Sequence, residues 1–452
     1  MKIQELYGRQ VLVSKTEKAF LNQEDEVPLQ KRPAMVKQGK MVTCNRCGCS
    51  NLGRDVQLPG GEYYCPNCIM LGRVLSTDSL YTIPEPNLFA PVDYQPLAWQ
   101  GQLSCLQKKC SRELLEAVRK GRNHLVWAVT GAGKTEMLFP TLNWAIKKGW
   151  RIAIASPRVD VCNELYPRMT AAFPRQDILL QHGKSDQSYR YTQMMIATTH
   201  QLFKFRQAFD LLVIDEVDAF PFVNNKYLQK AADRALKSTG VKCELTATPS
   251  AELLRRYKRG YGSISILPLR FHQRPLPEIQ VEFAARISCR GKLDVRTKSI
   301  IRKYIEKWQA AREPFLIFLP RIRQLAMIHG WIQKEFKLRG TTVYSEDEER
   351  IEKVAGFRKG AYDYLVTTTI LERGVTFPRL NVMVLRADDR QFSVASLVQI
   401  AGRCGRSSEK TDGDVILISC ELTRNIKRAC RQIKLLNKKG DKVKSAELSA
   451  LQ

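Results

Sequence analysis

The strongest constraint on the fold of this chain is a glycine-rich loop that directly follows a run of apolar residues. Leu125–Val129 is apolar throughout, which is typical of a strand covered on both faces of a parallel sheet. The loop Thr130–Thr135 reads Thr-Gly-Ala-Gly-Lys-Thr, and a helix is predicted over Glu136–Lys148. A strand, a loop of this composition and a helix, in this order, are the context of a phosphate-binding loop. The pattern therefore predicts an α/β fold with parallel sheets flanked by helices.

The residues of the loop predict a site for ATP and magnesium. Glycines at 131 and 133 would let backbone N–H groups close around phosphates at a helix N-terminus. Lys134 would reach the β- and γ-phosphates, and Thr135 would ligate magnesium. Ala128 stands where such loops usually begin with glycine, and a small residue is compatible with the loop. The predicted nucleotide-binding set is Thr130, Gly131, Ala132, Gly133, Lys134 and Thr135.

A second apolar run, Leu211–Ile214, ends in the carboxylates of Asp215 and Glu216. A magnesium–nucleotide site needs an acid at the carboxyl end of a buried strand, and hydrolysis needs a base that orients water. We expect Asp215 to serve the metal ion and Glu216 to serve the water. A solitary Asp-Glu pair is usually a solvated turn. Here an apolar strand precedes the pair and a matching loop lies upstream, so the sequence predicts an ATP hydrolase.

Four of the 13 cysteines form two Cys-x-x-Cys knuckles. Cys44 and Cys47 are followed, after 17 intervening residues, by Cys65 and Cys68. This spacing suits tetrahedral zinc bound by four thiolates, and such a site is structural because it leaves no open coordination position. Cys49 is an alternative ligand that fits less well. The other interpretation, four unliganded thiols, would leave this short segment with little core of its own.

The chain is strongly basic. Its 452 residues include 73 Lys+Arg and 45 Asp+Glu, which gives a net charge of +28. An excess of this size favours a polyanionic partner, because cations that meet phosphates release counterions. The alternatives are a ribosome-associated protein or one that is merely basic. There is no apolar N-terminal segment of the secretory type and no run long enough to span a bilayer. We expect a cytoplasmic protein, with peripheral attachment at the inner face of the membrane left open.

The organisation along the chain follows from these features and from changes in composition. Residues 76–98 are rich in Pro, Ser and Thr and are predicted to be a linker, and Arg274–Pro277 is predicted to separate two lobes. The tail is rich in lysine and periodic in Ile and Leu, which predicts a terminal helix. The predicted divisions are 1–40 (N-terminal segment), 41–75 (zinc module), 76–98 (linker), 99–273 (first ATP-binding domain), 274–420 (second domain) and 421–452 (basic helical tail).

The sequence resembles the superfamily-2 helicases and translocases, because it contains segments like their motifs in the same order along the chain. The family pattern implies two RecA-like domains preceded here by the small four-cysteine zinc module. The matching segments are Leu103–Gln107 (Q motif), Ser156–Arg158 (Ia), Ala197–His200 (Ib), Asp215–Asp218 (the Asp-Glu-Val-Asp box), Thr246–Thr248 (III), Leu316–Arg321 (IV), Thr368–Gly374 (V) and Gln399–Arg406 (VI).

The resemblance implies roles for individual residues. Gln107 would contact adenine, and Arg403 and Arg406 would reach across the cleft to the transferring phosphoryl group. Asp218 would couple hydrolysis to movement together with the threonines of motif III. The residues expected to contact nucleic acid or to couple it to hydrolysis are Arg158, Thr198, Thr199, Asp218, Thr246, Thr248, Arg321, Thr368 and Arg373.

A closer resemblance is to the ComFA family of late competence proteins. It is carried by the four-cysteine module, Trp99–Ser104, Ala128–Glu136, Ser156–Val161 and Asp215–Pro221. It implies an ATP-driven translocase on single-stranded DNA that helps to import transforming DNA, beside the membrane channel and other late competence proteins such as ComFC. The related primosomal helicase PriA has its zinc cysteines within the helicase region, whereas here they precede it.

Other functions remain open at this point. The Asp-Glu-Val-Asp box is typical of RNA helicases, so a helicase that unwinds DNA or RNA is an alternative. A second alternative is an adaptor in which the zinc module recruits partners and the ATPase serves as a nucleotide switch. The basic stretch Arg424–Lys444 is either a solvated helix face or a track for a nucleic-acid backbone. A homo-oligomer is also left open. We expect Cys65→Ser to destabilise residues 41–75 and to leave hydrolysis largely intact.

Overall fold

We describe the protein from a computed structural model. It describes residues 3–12, 29–284, 293–373, 377, 379–405 and 412–449, with side chains described up to 445. Within these residues the chain forms two compact units: unit 1 comprises Met1–Val126 and Lys134–Ile266, and unit 2 comprises Trp127–Gly133 and Leu267–Gln452. The division between Ile266 and Leu267 lies seven residues before the predicted lobe boundary at 273/274.

The first large sheet has seven strands in the order β13-β7-β12-β11-β8-β10-β9. β8 pairs in parallel with β10 and β11, β9 pairs with β10, and β11 pairs with β12. Its central strands are apolar and buried along their length, as expected where helices cover both faces. The strands are β7 (Asn123–Ala128), β8 (Ile152–Ser156), β9 (Ile178–Gln181), β10 (Met194–Thr198), β11 (Phe209–Ile214), β12 (Leu236–Thr246) and β13 (Gly262–Leu267).

The helices along this sheet follow its strands in sequence, as in a doubly wound α/β domain. The predicted helix Glu136–Lys148 is observed over Lys134–Lys147. The helices are α1 (Cys105–Arg119), α2 (Lys134–Lys147), α3 (Val159–Ala172), α4 (Lys226–Ala235) and α5 (Ala251–Arg256), which a wide turn at Tyr257–Tyr261 continues. Single 3-10 turns lie at Ile3–Leu6, Gly53–Asp55, Pro66–Leu71 and Thr199–Lys204.

Two small sheets precede the large one in unit 1. One has the order β1-β6-β2 and the other β3-β4-β5, and every adjacent pair of strands in both is antiparallel. The segment predicted as a linker, 76–98, contains strand β6, which pairs with both β1 and β2. The strands are β1 (Val11–Leu12), β2 (Gln30–Pro33), β3 (Met35–Gln38), β4 (Met41–Cys44), β5 (Ser50–Leu52) and β6 (Ser79–Thr82).

Unit 2 contains a six-stranded sheet in the order β14-β19-β18-β15-β17-β16, with every adjacent pair parallel. The apolar run Phe315–Leu319 contains its strand β15. The strands are β14 (Ile279–Phe283), β15 (Phe315–Phe318), β16 (Gly340–Val343), β17 (Tyr364–Thr367), β18 (Asn381–Leu385) and β19 (Val415–Ser419). The helices are α6 (Val295–Ala310), α7 (Leu325–Phe336), α8 (Arg350–Arg358), α9 (Val394–Ala401) and α10 (Arg424–Ser449), with 3-10 turns at Ile322–Gln324 and Thr369–Glu372.

Helix α10 is the longest described helix, at 26 residues. It packs through one face only, and the buried residues on that face are Ile426, Ala429, Ile433, Leu436 and Gly440. In the part of the chain that the structure describes, neither this helix nor any other has the length and apolar content needed to cross a bilayer.

Candidate active site and four-cysteine cluster

The glycine-rich loop connects β7 to α2. Gly131 and Gly133 have positive φ angles of 76° and 71°, a backbone conformation that favours residues without a Cβ. The loop can therefore curl tightly before the helix begins at Lys134. The threonines on either side of these glycines, Thr130 and Thr135, are buried. This is the geometry in which backbone N–H groups at a helix N-terminus can face phosphate oxygens.

Lys134 and Asp215 face each other inside unit 1. The Nζ atom of Lys134 lies 3.3 Å from Oδ1 of Asp215, which follows directly after strand β11. Burial disfavours the charged form of the lysine, but Asp215, Glu216 and Asp218 together outweigh that effect and raise the pKa of Lys134. The side chain therefore remains a cation, as a phosphate-binding lysine must.

The carboxylate of Asp215 is oriented by its own backbone surroundings. The backbone N–H of Glu216 donates to Oδ1 of Asp215 at 2.9 Å, and Glu216 itself has a left-handed φ of 56°. The carboxylate of Asp215 and the hydroxyl of Thr135 are hard oxygen donors of the kind that bind magnesium beside substrate phosphates. The donor set therefore fits a magnesium–nucleotide complex.

Asp218 joins the Asp-Glu-Val-Asp box to the segment after β12. Its Oδ1 accepts a hydrogen bond from Oγ1 of Thr246 at 2.7 Å, and its Oδ2 accepts one from Oγ1 of Thr248. The backbone N–H of Thr248 also donates to Oγ1 of Thr246 at 2.9 Å. All three side chains are buried, so a displacement of one must be transmitted to the others.

Gln107 lies in the first turn of α1 and forms a capping box with Ser104. Its Oε1 accepts from the backbone N–H of Ser104 at 2.8 Å, and its own N–H donates to Oγ of Ser104 at 3.3 Å. These two bonds satisfy orphan N–H groups at the helix start. The side chain predicted to contact adenine therefore also fixes the beginning of α1.

Arg158, Thr198 and Thr199 lie at one edge of the first sheet. β8 and β10 are parallel neighbours with Ser156 opposite Thr198, so residues that follow the two strands emerge side by side. Thr198 and Thr199 are buried, whereas Arg158 is partly exposed at the start of α3. Of these three predicted contact residues, Arg158 is the one whose side chain is best placed to meet a ligand in solvent.

In unit 2, Arg321 and Thr368 follow the parallel neighbours β15 and β17, in which Phe318 lies opposite Thr367. Arg321 is exposed and lies 3.8 Å from a carboxylate oxygen of Asp389. Thr368 precedes the 3-10 turn that leads to Arg373.

The side chain of Arg373 is buried beside Glu372. Arg403 is also buried, with 1% of its surface exposed, and its Nε donates to the carbonyl oxygen of Glu372 at 3.0 Å. Motifs V and VI are therefore in direct contact within unit 2. Arg406 lies outside the described residues.

Two residues absent from the sequence-based site organise their surroundings. The carboxylate of Glu372 accepts a hydrogen bond from Oγ of Ser396 on α9, the helix that leads into motif VI, and its backbone carbonyl accepts one from Arg403 of motif VI itself. Its position beside Arg373 was the signal that could have revealed it. Arg234 on α4 donates from Nη1 to the carbonyls of Asn45 and Arg46, and no local pattern in the sequence indicates this contact.

The four cysteines predicted to bind zinc form one cluster. Their Sγ atoms all lie within 4.8 Å of one another. Cys44 and Cys68 are separated by 3.9 Å, and Cys47 and Cys65 by 3.5 Å. Four sulfurs at about 2.3 Å from a tetrahedral zinc ion are ~3.8 Å apart. The cluster therefore fits zinc, and Cys49, which is not one of its members, is not needed as a ligand.

Two curated proteins are similar to this chain over almost its whole length. Competence protein ComFA of Streptococcus pneumoniae is 41% identical over 424 residues, which cover 93% of this chain and 96% of that protein. The chain belongs to the ComFA family. Competence protein ComFA of Bacillus subtilis is 38% identical over 433 residues, which cover 95% of this chain and 91% of that protein. The predicted family resemblance is confirmed.

Family models divide the chain into three matches. The competence protein ComFA N-terminal domain matches residues 2–82, the model described as type III restriction enzyme, res subunit, matches 100–251, and the helicase conserved C-terminal domain matches 296–408. Domains of this kind indicate an ATP-hydrolysing enzyme that acts on nucleic acid. ComFA is thus a competence protein family with superfamily-2 helicase domains.

Solved structures confirm the predicted fold class of two RecA-like domains. S. cerevisiae Dbp5 bound to RNA and ADP BeF3 matches with a TM-score of 0.54 and 15% identity, covering 74% of this chain and 88% of that chain. Mycobacterium smegmatis helicase Lhr bound to single-stranded DNA and AMP-PNP matches with a TM-score of 0.52 and 19% identity, covering 75% and 50%. At these identities the likeness shows the fold alone.

Proposed function

We propose that this protein hydrolyses ATP to move along single-stranded DNA during the uptake of transforming DNA. The observation that carries the proposal is the pair of contacts in unit 1 that join Lys134 to Asp215 and Asp218 to the threonines of motif III. The first contact pre-forms a phosphate and metal site. The second links that site to the next strand. Membership of the ComFA family of competence proteins supports the proposed DNA substrate and cellular task.

In this proposal each residue of the active site has one task. Lys134 binds the β- and γ-phosphates, and the backbone of Gly131 and Gly133 surrounds them. Thr135 and Asp215 hold magnesium, which when bound neutralises charge on the phosphates. Glu216 orients the attacking water and accepts its proton. Arg403 and Arg406 stabilise charge on the transferring phosphoryl group.

The coupling step rests on Asp218. When the phosphates leave, the box that carries Asp215, Glu216 and Asp218 shifts, and the two hydroxyls bonded to Asp218 shift with it. Such a paired contact gives the motor two discrete arrangements, which movement along a strand requires. Arg158 and Arg321 would hold the DNA backbone on the two sheets.

The four-cysteine cluster has a structural task in this proposal. Cys44, Cys47, Cys65 and Cys68 hold zinc, and the ion contributes folding energy to unit 1. Four protein ligands leave no position at which a substrate could bind to the metal. Zinc therefore takes no direct chemical part in hydrolysis.

The test is the rate of ATP hydrolysis with single-stranded DNA, duplex DNA or RNA, each at the same stated salt concentration. Single-stranded DNA should stimulate the rate several-fold and more than the other two polymers. Lys134→Ala should lower the stimulated rate by at least about a hundredfold, because it removes a charge that stabilises the transition state. Lys148→Ala, which removes an exposed lysine just beyond the same helix, is the matched control. A rate indifferent to DNA would contradict the proposed substrate.

A second assay separates translocation from strand separation. With ATP, a translocase on single-stranded DNA should displace streptavidin from one biotinylated end of an oligonucleotide faster than from the other. A helicase would also separate a partial duplex at a comparable rate. Efficient strand separation, or equal activity on RNA, would favour the helicase alternative over the translocase.

A further inference from the structure

The exposed face of helix α10 carries a row of cations. Its exposed charged residues within the described side chains include a single acid, Asp441, and seven cations, which we call the cationic stripe: Arg424, Lys427, Arg428, Arg431, Lys434, Lys438 and Lys442. Successive members are three or four residues apart, except for the neighbours Lys427 and Arg428. All seven therefore lie within about one third of the helix circumference. From Arg424 to Lys442 the stripe is about 27 Å long.

The stripe faces outward because contacts on the opposite side fix the rotation of the helix. The amide of Asn437 donates from Nδ2 to the carbonyl of Leu276 at 2.9 Å and accepts at Oδ1 from the N–H of the same residue at 2.9 Å. A Cβ at Gly440 would lie 2.3 Å from Cδ2 of Leu269, so the helix approaches that residue very closely. The apolar face is therefore covered within unit 2, and the cations are presented to solvent.

The cations of the stripe differ from several other cations at the surface of unit 2, which have carboxylate partners. Lys307 lies 2.6 Å from Asp414, Arg339 lies 3.0 Å from Asp363, and Lys353 lies 3.0 Å from Asp347. None of the seven stripe residues forms an ion pair with a carboxylate in the described part of the chain. Like charges at three- and four-residue spacing repel one another. A polyanion that lies along the helix would relieve that repulsion.

We propose that the cationic stripe on α10 is a second binding surface for the phosphate backbone of single-stranded DNA, apart from the helicase motifs. The choice of DNA rests on the proposed function. At the ~3.4 Å spacing of a stacked strand, a stripe of this length meets up to about eight phosphates. Leu435 is the one large apolar residue among the exposed positions of the described helix. No aromatic side chain is available there to stack on bases. The surface would therefore bind the phosphates without preference for the base sequence.

The other polyanion to consider is an anionic membrane. A helix that lies in a bilayer buries its apolar face among the acyl chains. Here Ile426, Ala429, Ile433 and Leu436 are already buried in unit 2. Only charge would remain to hold the helix on a lipid surface, whereas a nucleic-acid strand needs nothing further. The observations therefore favour DNA.

The test is the salt dependence of DNA binding by the full-length protein. Fluorescence anisotropy of a labelled oligo(dT), without ATP, gives the slope of log K against log [NaCl]. The stripe variant carries Lys427→Gln, Arg431→Gln, Lys434→Gln and Lys438→Gln. Each lost phosphate contact lowers the slope by ~0.7 for a single strand, so four lost contacts lower it by up to about 2.8. The affinity for oligo(dT) and oligo(dA) should fall equally.

Two further variants control for charge and folding. Lys334→Gln, Lys337→Gln, Arg358→Gln and Lys359→Gln together remove four exposed cations elsewhere on unit 2 and should leave the slope unchanged. Lys427→Arg, Lys434→Arg and Lys438→Arg together keep the charge and should keep the wild-type slope. A slope that is the same in the stripe variant and the wild type overturns the proposal. So does a stripe variant that loses binding to phosphatidylserine vesicles while its DNA slope is unchanged.

The failure of this proposal can be told apart from the failure of the motor function. In the stripe variant, the DNA concentration for half-maximal ATPase stimulation should rise while the maximal rate is kept. If the slope does not change but DNA still stimulates hydrolysis, the stripe proposal fails alone. If hydrolysis ignores DNA but the stripe variant still lowers the binding slope, the motor function fails and the stripe is still a DNA-binding surface.

Discussion

The four-cysteine module and helix α10 are attached to their respective sheets in different ways. The module, residues 34–75, shares one continuous buried core with the first large sheet: Val42 and Val56 belong to the same apolar cluster as Leu212 and Ala232. Helix α10 buries one face in unit 2 and leaves the other charged and in solvent. The module is thus part of the folding unit that carries Lys134 and Asp215, whereas the helix presents a charged surface.

Two arginines, one buried and one half-buried, strengthen the attachment of the module. Arg46, with 3% of its surface exposed, donates from Nη2 to the carbonyls of Cys68 and Gly72. Arg234 on α4 in turn donates to the carbonyls of Asn45 and Arg46. Helix α4 connects the Asp-Glu-Val-Asp box to strand β12, which ends at Thr246. A change at the four-cysteine cluster can therefore reach the Asp-Glu-Val-Asp box and motif III.

The largest effect is expected for Cys65→Ser. Loss of a metal ligand ranks among the most destabilising single changes, about 4 kcal/mol or more. Sequence alone predicted that hydrolysis would survive this change. Because the core is shared, we now expect thermal unfolding of unit 1 at a lower temperature and a fall in ATPase rate at 37 °C. Cys420→Ser, an exposed cysteine in unit 2, is the control. Normal hydrolysis by a zinc-free protein would show that the module is separable after all.

An intermediate effect is expected for Arg234→Met, which keeps the length of the side chain and removes its donors. Two carbonyls lose a charged hydrogen-bond partner, and such bonds contribute about 1.5–3 kcal/mol. The free energy of unfolding, measured with urea, should fall by about 3 kcal/mol, the low end for two such bonds, and zinc should dissociate faster to a chelator. Lys230→Met, exposed on the same helix, should change neither quantity. Unchanged zinc release would mean that the core alone holds the module.

The smallest effect is expected for Asn437→Ala on α10. It removes two hydrogen bonds to Leu276, which contribute about 0.5–1.5 kcal/mol each. The free energy of unfolding of unit 2 should fall by about 1–2 kcal/mol, with the ATPase rate at 25 °C unchanged. Lys434→Ala on the exposed face is the matched control for stability. If hydrolysis falls as it is expected to do for Cys65→Ser, the proposed contrast between the two regions is wrong.

Much of the fold was predictable because its signals are local. A short stretch of sequence is enough to recognise the strand, loop and helix around Lys134 and the strand before Asp215. Buried parallel strands, for example, require a continuous apolar run. In the structure, β7 spans Asn123–Ala128 and β11 spans Phe209–Ile214, close to the apolar runs Leu125–Val129 and Leu211–Ile214 from which they were predicted. The strand β6 inside the predicted linker was missed because its partners, β1 and β2, are distant in sequence and its composition is polar.

The sequence by itself was enough to predict the chemistry of this protein, because residues of one loop or of one Cys-x-x-Cys knuckle are neighbours along the chain. It also determined the family and the fold class. Only the tertiary structure decided which parts depend on one another. Arg234 contacts Asn45 across 189 residues, and Glu85 contacts Arg151 across 66. Such contacts depend on how whole elements pack, and no local pattern encodes that packing. Likewise, the sequence showed that the tail is basic, but only the contacts of Asn437 and Gly440 show which side of its helix faces solvent.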